Sequence, residues 1–278
     1  MLYETPPFIG KERLKTLLMK IYYRLLKPLE PVIIDSADGR KFKADLTDGM
    51  YNALYFTGFY EKNETLYFRN VIKPGEVVLD IGANFGWYTT LFSELVGKTG
   101  KIVSFEPVPR IYRELLENIA LNDPLKNITA IQTSLGDREG TVTINTFQGL
   151  SHGHSSISTL GREDYTTCSV PMTTLDACID DHLNGRRIAM IKMDVEGAEM
   201  MVIRGAEQLL RNAADVRIMF EINSETASAF DYHPTDIIKT LEGYGFSNFC
   251  RIGEGGIPHR LNLNLNVEHG DNIICQKN

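Results

Sequence analysis

The residues whose types and spacing could do chemistry begin with "VVLDIGANFGWYTT", residues 77 to 90. In this stretch an acid, Asp80, precedes Gly82 and Gly86, and Asn84 stands between the two glycines. A dinucleotide site requires Gly-x-Gly-x-x-Gly, whose middle glycine lets the backbone approach a pyrophosphate. Asn84 occupies that middle position, and no Gly-Lys-Ser/Thr of a Walker loop follows. An acidic loop with fewer glycines favours a cationic, phosphate-free ligand such as S-adenosylmethionine (SAM) over NAD.

A second acid stands where a ribose would need a partner. Glu106 follows the apolar run "KIVSF" and lies 24 residues after Gly82. An acid at the end of the second strand of such a unit accepts hydrogen bonds from ribose hydroxyls, in NAD and in SAM alike. A solvated acid at a strand end is the alternative interpretation. Polar residues also follow three later apolar runs: Ser134, then Asp194 and Glu196, then Glu221 and Asn223.

The elements that must position these residues alternate between strands and helices from residue 71 onward. Five short apolar runs predict buried strands, and the segments between most of them predict amphipathic helices. The strands are "EVVLDIG", "GKIVSFEP", "ITAIQTSLG", "RIAMIKMDV" and "DVRIMFEIN". Because parallel strands need crossover helices, we expect an α/β, Rossmann-like fold with a mostly parallel sheet and helices on both faces. Ligands bind such sheets beyond the carboxyl ends of the strands, where the polar residues fall.

One segment interrupts this alternation. Residues 136–178 contain two alternating runs, "TVTINTF" and "CSVPMTT", which predict a β-hairpin inserted between the third and fourth strands. The connection between them, about 17 residues long, is typical of a functional lid or of a disordered loop. It carries His152 and His154, and imidazoles can act as bases near neutral pH. A polar loop with incidental histidines is the alternative.

The N-terminal segment differs from the rest of the chain in its charge. Residues 11–27 predict an amphipathic helix that carries six basic residues and one acid, a net charge of +5. This helix either packs on the domain or on a second copy of the chain, or lies on an anionic membrane surface. We therefore expect an appendage at residues 1–50, made of this helix and a short strand, and a ligand-binding domain at residues 51–278.

Composition restricts the classes of function and the cellular location. The net charge of −7 argues against a nucleic-acid partner, which would require a basic face. The four cysteines form no Cys-x-x-Cys pair, so neither a zinc knuckle nor a thioredoxin-type site is indicated. Scattered thiols, the lack of a signal-peptide core and the lack of an apolar run of about 20 residues predict a cytoplasmic protein.

Four stretches of the sequence resemble the successive motifs of the FkbM family of SAM-dependent methyltransferases. They are "VVLDIGANFGWYT", "VSFEPVPRIYRELLENIALN", "SLGDREGTVTI" and "IKMDVEGAEMMVIRGA", in this order. The resemblance spans residues 55 to 225. It implies the class I methyltransferase fold and O-methylation, typically of hydroxyls on sugars or polyketide-like natural products.

The resemblance also implies roles for individual residues. Those expected around the cofactor, from its amino-acid end towards its adenine, are Asp80, Gly82, Ala83, Asn84, Gly86, Glu106, Pro107 and Ser134. Asp194 would lie beside the transferable methyl group. Tyr60 and Glu61, which precede the first strand, are expected to cover the cofactor.

Methyl transfer to a hydroxyl requires that an oxygen be aligned and its proton removed. The carboxylate candidates for this base are Asp194 and Glu196, and the imidazole candidates are His152 and His154. A helix N-cap is the alternative role for Asp194, and the two roles are compatible. Carboxylates near a histidine could also bind Mg²⁺, although no spacing in the sequence demands a metal.

Three classes of function compete at this point. The leading hypothesis is an O-methyltransferase that acts on a small-molecule or carbohydrate acceptor, as a monomer or as a homo-oligomer. An NAD-linked oxidoreductase is disfavoured by Asn84 in the glycine loop. A catalytically silent cofactor-binding module is the third class, and the intact set of acids at the strand ends argues against it.

Overall fold

The structure is a computed structural model that describes most of the chain. The described residues are 30–46, 50–147, 155–158, 163, 165–183, 185–261 and 270–277. The helix predicted at residues 11–27 lies outside them, as do His152 and His154.

Strands and helices alternate along much of the described chain. The strands are β1 (Val32–Asp35), β2 (Lys41–Ala44), β3 (Val77–Ile81), β4 (Lys101–Phe105), β5 (Ile128–Ile131), β6 (Ser134–Leu135), β7 (Gly140–Phe147), β8 (Ser155–Ser156), β9 (Tyr165–Thr173), β10 (Ile188–Met193), β11 (Val216–Ile222), β12 (Ser247–Ile252), β13 (Pro258–Arg260) and β14 (Asp271–Lys277). The helices are α1 (Met50–Thr57), α2 (Lys62–Val71), α3 (Trp87–Val96), α4 (Pro109–Asn122), α5 (Leu175–Cys178), α6 (Asp180–Leu183), α7 (Glu199–Arg204), α8 (Glu207–Asn212), α9 (Ser224–Ser228) and α10 (Pro234–Gly243).

The central sheet has eight strands in the order β13-β12-β14-β11-β10-β3-β4-β5. The five predicted strands, β3, β4, β5, β10 and β11, run parallel, which confirms the mostly parallel α/β fold. Three C-terminal strands that were not predicted extend the sheet: β14 is antiparallel to β11 and to β12, and β13 pairs with β12. The strand order reverses between β3 and β10, so a crevice opens beyond their carboxyl ends.

Helices cover both faces of this sheet, as predicted. On one face α2 and α3 pack through large side chains such as Phe68, Trp87 and Phe92. On the other face α7 and α10 contribute aliphatic side chains such as Val202 and Ile238. No helix in the described ranges is long and apolar enough to cross a membrane. The cytoplasmic location stays a prediction.

One helix differs from the prediction. The segment between the fourth and fifth predicted strands, expected to form one helix over residues 197–212, is divided into α7 and α8 at Gly205. At this glycine the chain passes so close to Gly136 that a Cβ would lie 1.8 Å from the Gly136 carbonyl oxygen. The close contact between the two backbones therefore decides where the helix stops.

The predicted inserted hairpin is confirmed, and it belongs to a second sheet. β7 and β9 pair antiparallel along their whole length, and β6 and β8 complete the order β6-β9-β7-β8. The third predicted strand is divided, because β5 stays in the central sheet while β6 joins the second one. We call the four strands of this second sheet, β6 to β9, the insert.

The β1–β2 hairpin packs on the domain through a buried arginine. The Arg40 guanidinium lies 4.0 Å from the centre of the Trp87 ring and donates to the Thr90 hydroxyl at 2.8 Å. Asp38 accepts hydrogen bonds from Arg40 and, at 2.7 Å, from Arg69 on α2. These contacts join the hairpin to α2 and α3. The division of the chain at residue 50 stays a prediction.

Candidate functional site

A cleft lies beyond the carboxyl ends of β3, β4 and β10. It contains about 970 Å³ of empty space, part of it open to solvent. The predicted residues in its wall are Tyr60, Gly82, Asn84, Glu106, Pro107, Ser134, Asp194 and Glu196. Apolar wall residues that the sequence did not single out include Val108, Ile111, Ile144 and Ile157. The cleft thus brings most of the predicted cofactor residues together with two of the predicted bases.

The glycine loop lies directly against the backbone of Asp194. Gly82 has a φ of +79°, and a Cβ on it would lie 1.9 Å from the carbonyl oxygen of Asp194. The N–H groups of Gly82 and Ala83 both donate to the carbonyl oxygen of Phe105, at 3.0 and 2.9 Å. Ala83 is buried by this contact and does not line the cleft. Only glycine fits at position 82, because both the φ angle and the available space exclude a side chain.

Asn84 continues the loop in the left-handed conformation that asparagine tolerates, with a φ of 51°. Its Oδ1 accepts the N–H of Phe85 at 2.8 Å. Gly86, which directly precedes α3, is also left-handed. A Cβ on Gly86 would lie 2.8 Å from the side chain of Leu115. Asn84 therefore occupies a backbone N–H group that a phosphate would otherwise use at this helix start.

Glu106 is a buried carboxylate that faces the cleft. Its Oε2 accepts the N–H of Asn84 at 3.0 Å, and its Oε1 accepts the N–H of Val108 at 2.9 Å. Burial raises the pKa of Glu106 to about 7, and the two backbone donors oppose that rise. Each carboxylate oxygen can accept a further hydrogen bond, so the pair can hold two vicinal hydroxyls.

Asp80 lies beneath the glycine loop rather than in the wall of the cleft. It is fully buried, and its Oδ2 accepts the Thr89 hydroxyl at 2.5 Å. Its Oδ1 makes no hydrogen bond with the described residues. Burial raises the pKa of Asp80, and the positive charge of Lys192 opposes that rise. Asp80 therefore supports the glycine loop from within the core and has no direct access to the cleft.

Lys192 is the buried cation of the site, and the sequence analysis did not predict it. It pairs with Asp80 across β10 and β3, and its Nζ lies 3.1 Å from Oδ2 of Asp194. Burial opposes its charge, but the carboxylates of Asp194 and Asp80 hold the pKa of Lys192 above its ordinary value. A lone lysine in the apolar run "RIAMIKM" was the available signal, because an unpaired buried charge would be costly.

Asp194 and Glu196 lie in a tight turn between β10 and α7. Glu196 has a left-handed φ of 52°, and the turn is held from below by Glu199. The Oε1 of Glu199 accepts the N–H groups of Val195 and Gly197, at 3.1 and 3.4 Å. Burial raises the pKa of Glu199 to about 7. Glu199, which the sequence analysis did not single out, is thus the residue whose hydrogen bonds hold the turn.

Tyr60 and Glu61 reach the site from the segment between α1 and α2. Tyr60 lines the cleft, whereas Glu61 lies behind it and accepts the Tyr88 hydroxyl at 2.6 Å. Glu61 has a left-handed φ of 42°, and burial together with the charge of Asp194 raises its pKa to about 7. The expected covering role therefore fits Tyr60 better than Glu61.

None of the described histidines lines the cleft. His152 and His154 lie outside the described residues, so their role as bases stays a prediction. His233 is exposed and caps α10, where its ring accepts the Thr235 N–H at 3.3 Å. Among the described residues no group of three or more His, Cys, Asp or Glu side chains is arranged to hold a metal ion.

Comparison with known proteins agrees with this geometry. Residues 80–247, more than half of the chain, match the Methyltransferase FkbM domain. Methyltransferase sdnD of Sordaria araneosa is 29% identical over 49% of this chain and 63% of its own length. The 2-O-methyltransferase NoeI of Sinorhizobium fredii is 29% identical over 50% of this chain and 60% of its own.

The chain therefore spans less than two thirds of the length of these curated relatives. Among solved structures, a SAM-dependent O-methyltransferase from Thermotoga maritima gives a TM-score of 0.45 and 10% identity over 91% of this chain and 94% of that one. The domain match covers the glycine loop, Glu106 and the Asp194 turn together. The chain belongs to the FkbM methyltransferase family.

Proposed function

We propose that this protein is a SAM-dependent O-methyltransferase that acts on a hydroxyl group of a sugar, a glycan or a hydroxylated natural product. The observation that carries the proposal is one cleft lined both by Glu106, a buried carboxylate that can accept two hydroxyls, and by Asp194, the carboxylate expected beside the methyl group. Named relatives that are methyltransferases, one of them a 2-O-methyltransferase, support it.

The residues of the cleft suit SAM better than a dinucleotide. Glu106 can accept both ribose hydroxyls, and Gly82 lets the backbone approach the amino-acid end of the ligand. Carboxylates on and beneath the wall favour the positive charges of the ammonium and the sulfonium. Asn84 already binds the Phe85 N–H, which a pyrophosphate would need. SAM supplies an electrophilic methyl group when it is bound.

The chain must then position an acceptor oxygen and take its proton. Asp194 lies in the cleft wall with a side chain 29% exposed, so a hydroxyl can reach it. Its ion pair with Lys192 fixes one carboxylate oxygen and leaves the other free to accept the proton. Tyr60 and Glu196 lie in the same wall and can position the rest of the acceptor.

The proposal is tested by transfer of label from [methyl-³H]SAM to a panel of monosaccharides, nucleotide sugars and hydroxylated polyketides. We expect labelled ether in at least one acceptor class, and a loss of about a hundredfold or more in kcat for Asp194→Asn, because general bases contribute that much. Glu117→Gln, which breaks an exposed ion pair with Lys43, is the control and should leave the rate unchanged.

Label found on nitrogen or carbon instead of oxygen would contradict the proposed function, and an Asp194→Asn variant that keeps the full rate would contradict the role of Asp194 as the base. Should Asp194→Asn stay active while His152→Ala or His154→Ala loses activity, the base would be an imidazole. A membrane-surface contact through residues 11–27, a homo-oligomer and a cytoplasmic location stay predictions beside this function.

A further inference from the structure

Besides Asp194, the Lys192 ammonium attracts a second pair of side chains. Its Nζ lies 4.9 Å from the centre of the Tyr88 ring, within the range of a cation–π contact. The hydroxyl of this buried tyrosine donates to Oε2 of Glu61 at 2.6 Å. Because Asp194 lies 3.1 Å from the same Nζ, one buried cation is shared between Asp194 and the Glu61–Tyr88 pair.

The backbone of Glu61 is held in an unfavourable conformation. Its left-handed φ of 42° costs free energy in any residue that carries a Cβ. Thr65, which is buried in α2, fixes this segment: its N–H donates to the Glu61 carbonyl oxygen at 2.9 Å and its hydroxyl donates to the Tyr60 carbonyl oxygen at 3.1 Å. The Trp87 indole in turn donates to the Thr65 hydroxyl at 2.9 Å. Strain that neighbours maintain in this way indicates that the place of the Glu61 carboxyl is functionally constrained.

Charged and titratable groups from several elements face Glu61 and Asp194. They are Lys192 of β10, Asp80 of β3, Glu64 of α2, Tyr88 of α3, Glu196 and Glu199 in the turn and at the start of α7, Glu221 of β11, and Tyr60 beside Glu61. Among these described groups Lys192 is the only cation. Burial and the charge of Asp194 raise the pKa of Glu61 to about 7, while Lys192 and the Tyr88 hydroxyl oppose that rise. Glu61 and Asp194 therefore compete for one positive charge.

We propose that Glu61 is a positioning residue for the base: together with Tyr88 it draws on the charge of Lys192, so that Asp194 can take the proton of the acceptor. The inference rests on the proposed function in taking Asp194 as the base. A carboxylate that has a lysine to itself is a weak base, because the ion pair favours its ionised form. An ionised Glu61 competes for the ammonium and weakens that effect. Since coupling between two sites is reciprocal, it can be measured at Glu61.

The coupling is measured by ¹³C NMR titration of protein labelled at the glutamate Cδ, with the Glu61 signal assigned by its loss in Glu61→Gln. The wild-type midpoint should lie at about 7. Asp194→Asn removes a negative charge and should lower the midpoint to about 6, whereas Tyr88→Phe removes a donor to the ionised form and should raise it to about 8. Tyr112→Phe is the control. Its hydroxyl, on α4, donates to the Ala130 carbonyl oxygen at 3.1 Å, so its loss should leave the midpoint unchanged.

The effect on the reaction is measured with the acceptor that the labelled-methyl assay identifies. Glu61→Gln should lower kcat about tenfold at saturating SAM, because it leaves Lys192 to Asp194. The KM of the acceptor and the dissociation constant of S-adenosylhomocysteine (SAH) should stay within about twofold, because Glu61 does not line the cleft. Wild-type kcat should rise from pH 6 to pH 8 as Glu61 ionises, and the Glu61→Gln profile should be flatter. Glu61→Asp, which keeps the charge, should recover part of the rate.

The outcomes separate the two claims. If Glu61 titrates at the same pH in the wild type, in Asp194→Asn and in Tyr88→Phe, the inference is wrong and the proposed function is unaffected. A Glu61→Gln variant that keeps the wild-type kcat and pH profile would also overturn the inference. If no acceptor is labelled, the proposed function fails, and the NMR titration alone decides whether the two carboxyls are coupled. Thermal unfolding of each variant with and without SAH distinguishes these results from a loss of the fold.

Discussion

At the residue scale, the site consists of carboxylates held by different partners. Glu106 is held by two backbone N–H groups, Asp194 by Lys192, and Asp80 by Thr89. The sequence predicted Glu106 and Asp194 from their places at strand ends. It did not predict Lys192, because a lysine in an apolar run indicates a buried ion pair but does not identify its partners, Asp80 on the neighbouring strand and Asp194.

The affinity for SAH should depend on pH through Glu106. In the proposed complex its carboxylate form accepts the ribose hydroxyls, and burial raises the pKa of Glu106 to about 7 in the free protein. Binding is therefore full above that pKa and weakens as the pH falls through it, by at most about tenfold per pH unit for one proton. Calorimetry at pH 6, 7 and 8 measures this. Glu106→Gln should bind more weakly with a flatter profile, and equal wild-type affinity at pH 6 and 8 would contradict the assignment.

Removal of the Lys192 charge should destabilise the fold in a pH-dependent way. Lys192→Met leaves Asp80 and Asp194 without their cation, and breaking a buried pair costs about 3–5 kcal/mol. The cost should shrink from pH 8 to pH 5.5, because uncompensated carboxylates take up protons. Urea unfolding at both values measures it. Lys192→Arg should recover much of the lost stability. Arg217→Met is the control, because it breaks a half-buried ion pair with Glu76 at the other end of the sheet. The stability that Arg217→Met loses should be the same at pH 8 and at pH 5.5.

At the scale of elements, the site depends on the glycine loop, on the turn between β10 and α7, and on the sheet that brings the two together. The sequence predicted the strand, loop and helix around Gly82, because the apolar period and the glycines are local signals. It did not predict the break at Gly205 or the division of the third strand. Both depend on contacts with residues far along the chain, such as Gly136, which no local pattern contains.

The short distance between the glycine loop and the turn at Asp194 predicts that a methyl side chain at position 82 is strongly destabilising. In Gly82→Ala the Cβ would lie 1.9 Å from the Asp194 carbonyl oxygen, so we expect a loss of about 3 kcal/mol of stability and no measurable SAH binding. Gly39→Ala is the matched control, because Gly39 also has a positive φ, +86°, but has no atom within 4 Å of the added Cβ. Its cost should be about 1 kcal/mol. Equal unfolding midpoints for the two variants would refute the crowding argument.

At the scale of the whole molecule, an α/β sheet carries a cluster of buried glutamates, and burial raises the pKa of several of them. The alternation of strands and helices predicted the parallel half of the sheet and its ligand edge. The antiparallel strands β12, β13 and β14 escaped prediction, because "SNFCRI", "PHR" and "DNIICQK" are short runs that no crossover helix marks as parallel strands, and β14 pairs with β11, a strand far back in the chain. The insert was predicted as a hairpin, but its place in the cleft wall depends on tertiary packing.

Because of its buried acids, the free energy of unfolding of the ligand-free protein should fall as the pH rises. Burial raises the pKa to about 7 for Glu61, Glu106 and Glu199, and to about 9 for Glu221, where neighbouring carboxylates add to the effect. The folded state therefore holds more protons than the unfolded state between about pH 4.5 and 9. The free energy of unfolding should fall across that window, as measured by urea titration at pH 5.5, 7 and 8.5. A free energy that rises with pH would show that these carboxyls are ionised in the fold.

The central claim is that the cleft at the ends of β3 and β4 binds SAM. Calorimetric titration of the wild-type protein at pH 8 with SAH and with NAD tests it most directly. The account predicts one SAH site per chain, a loss of SAH binding in Glu106→Ala and no heat from NAD. Binding of NAD in the absence of SAH binding, or SAH binding that Glu106→Ala leaves unchanged, would contradict it.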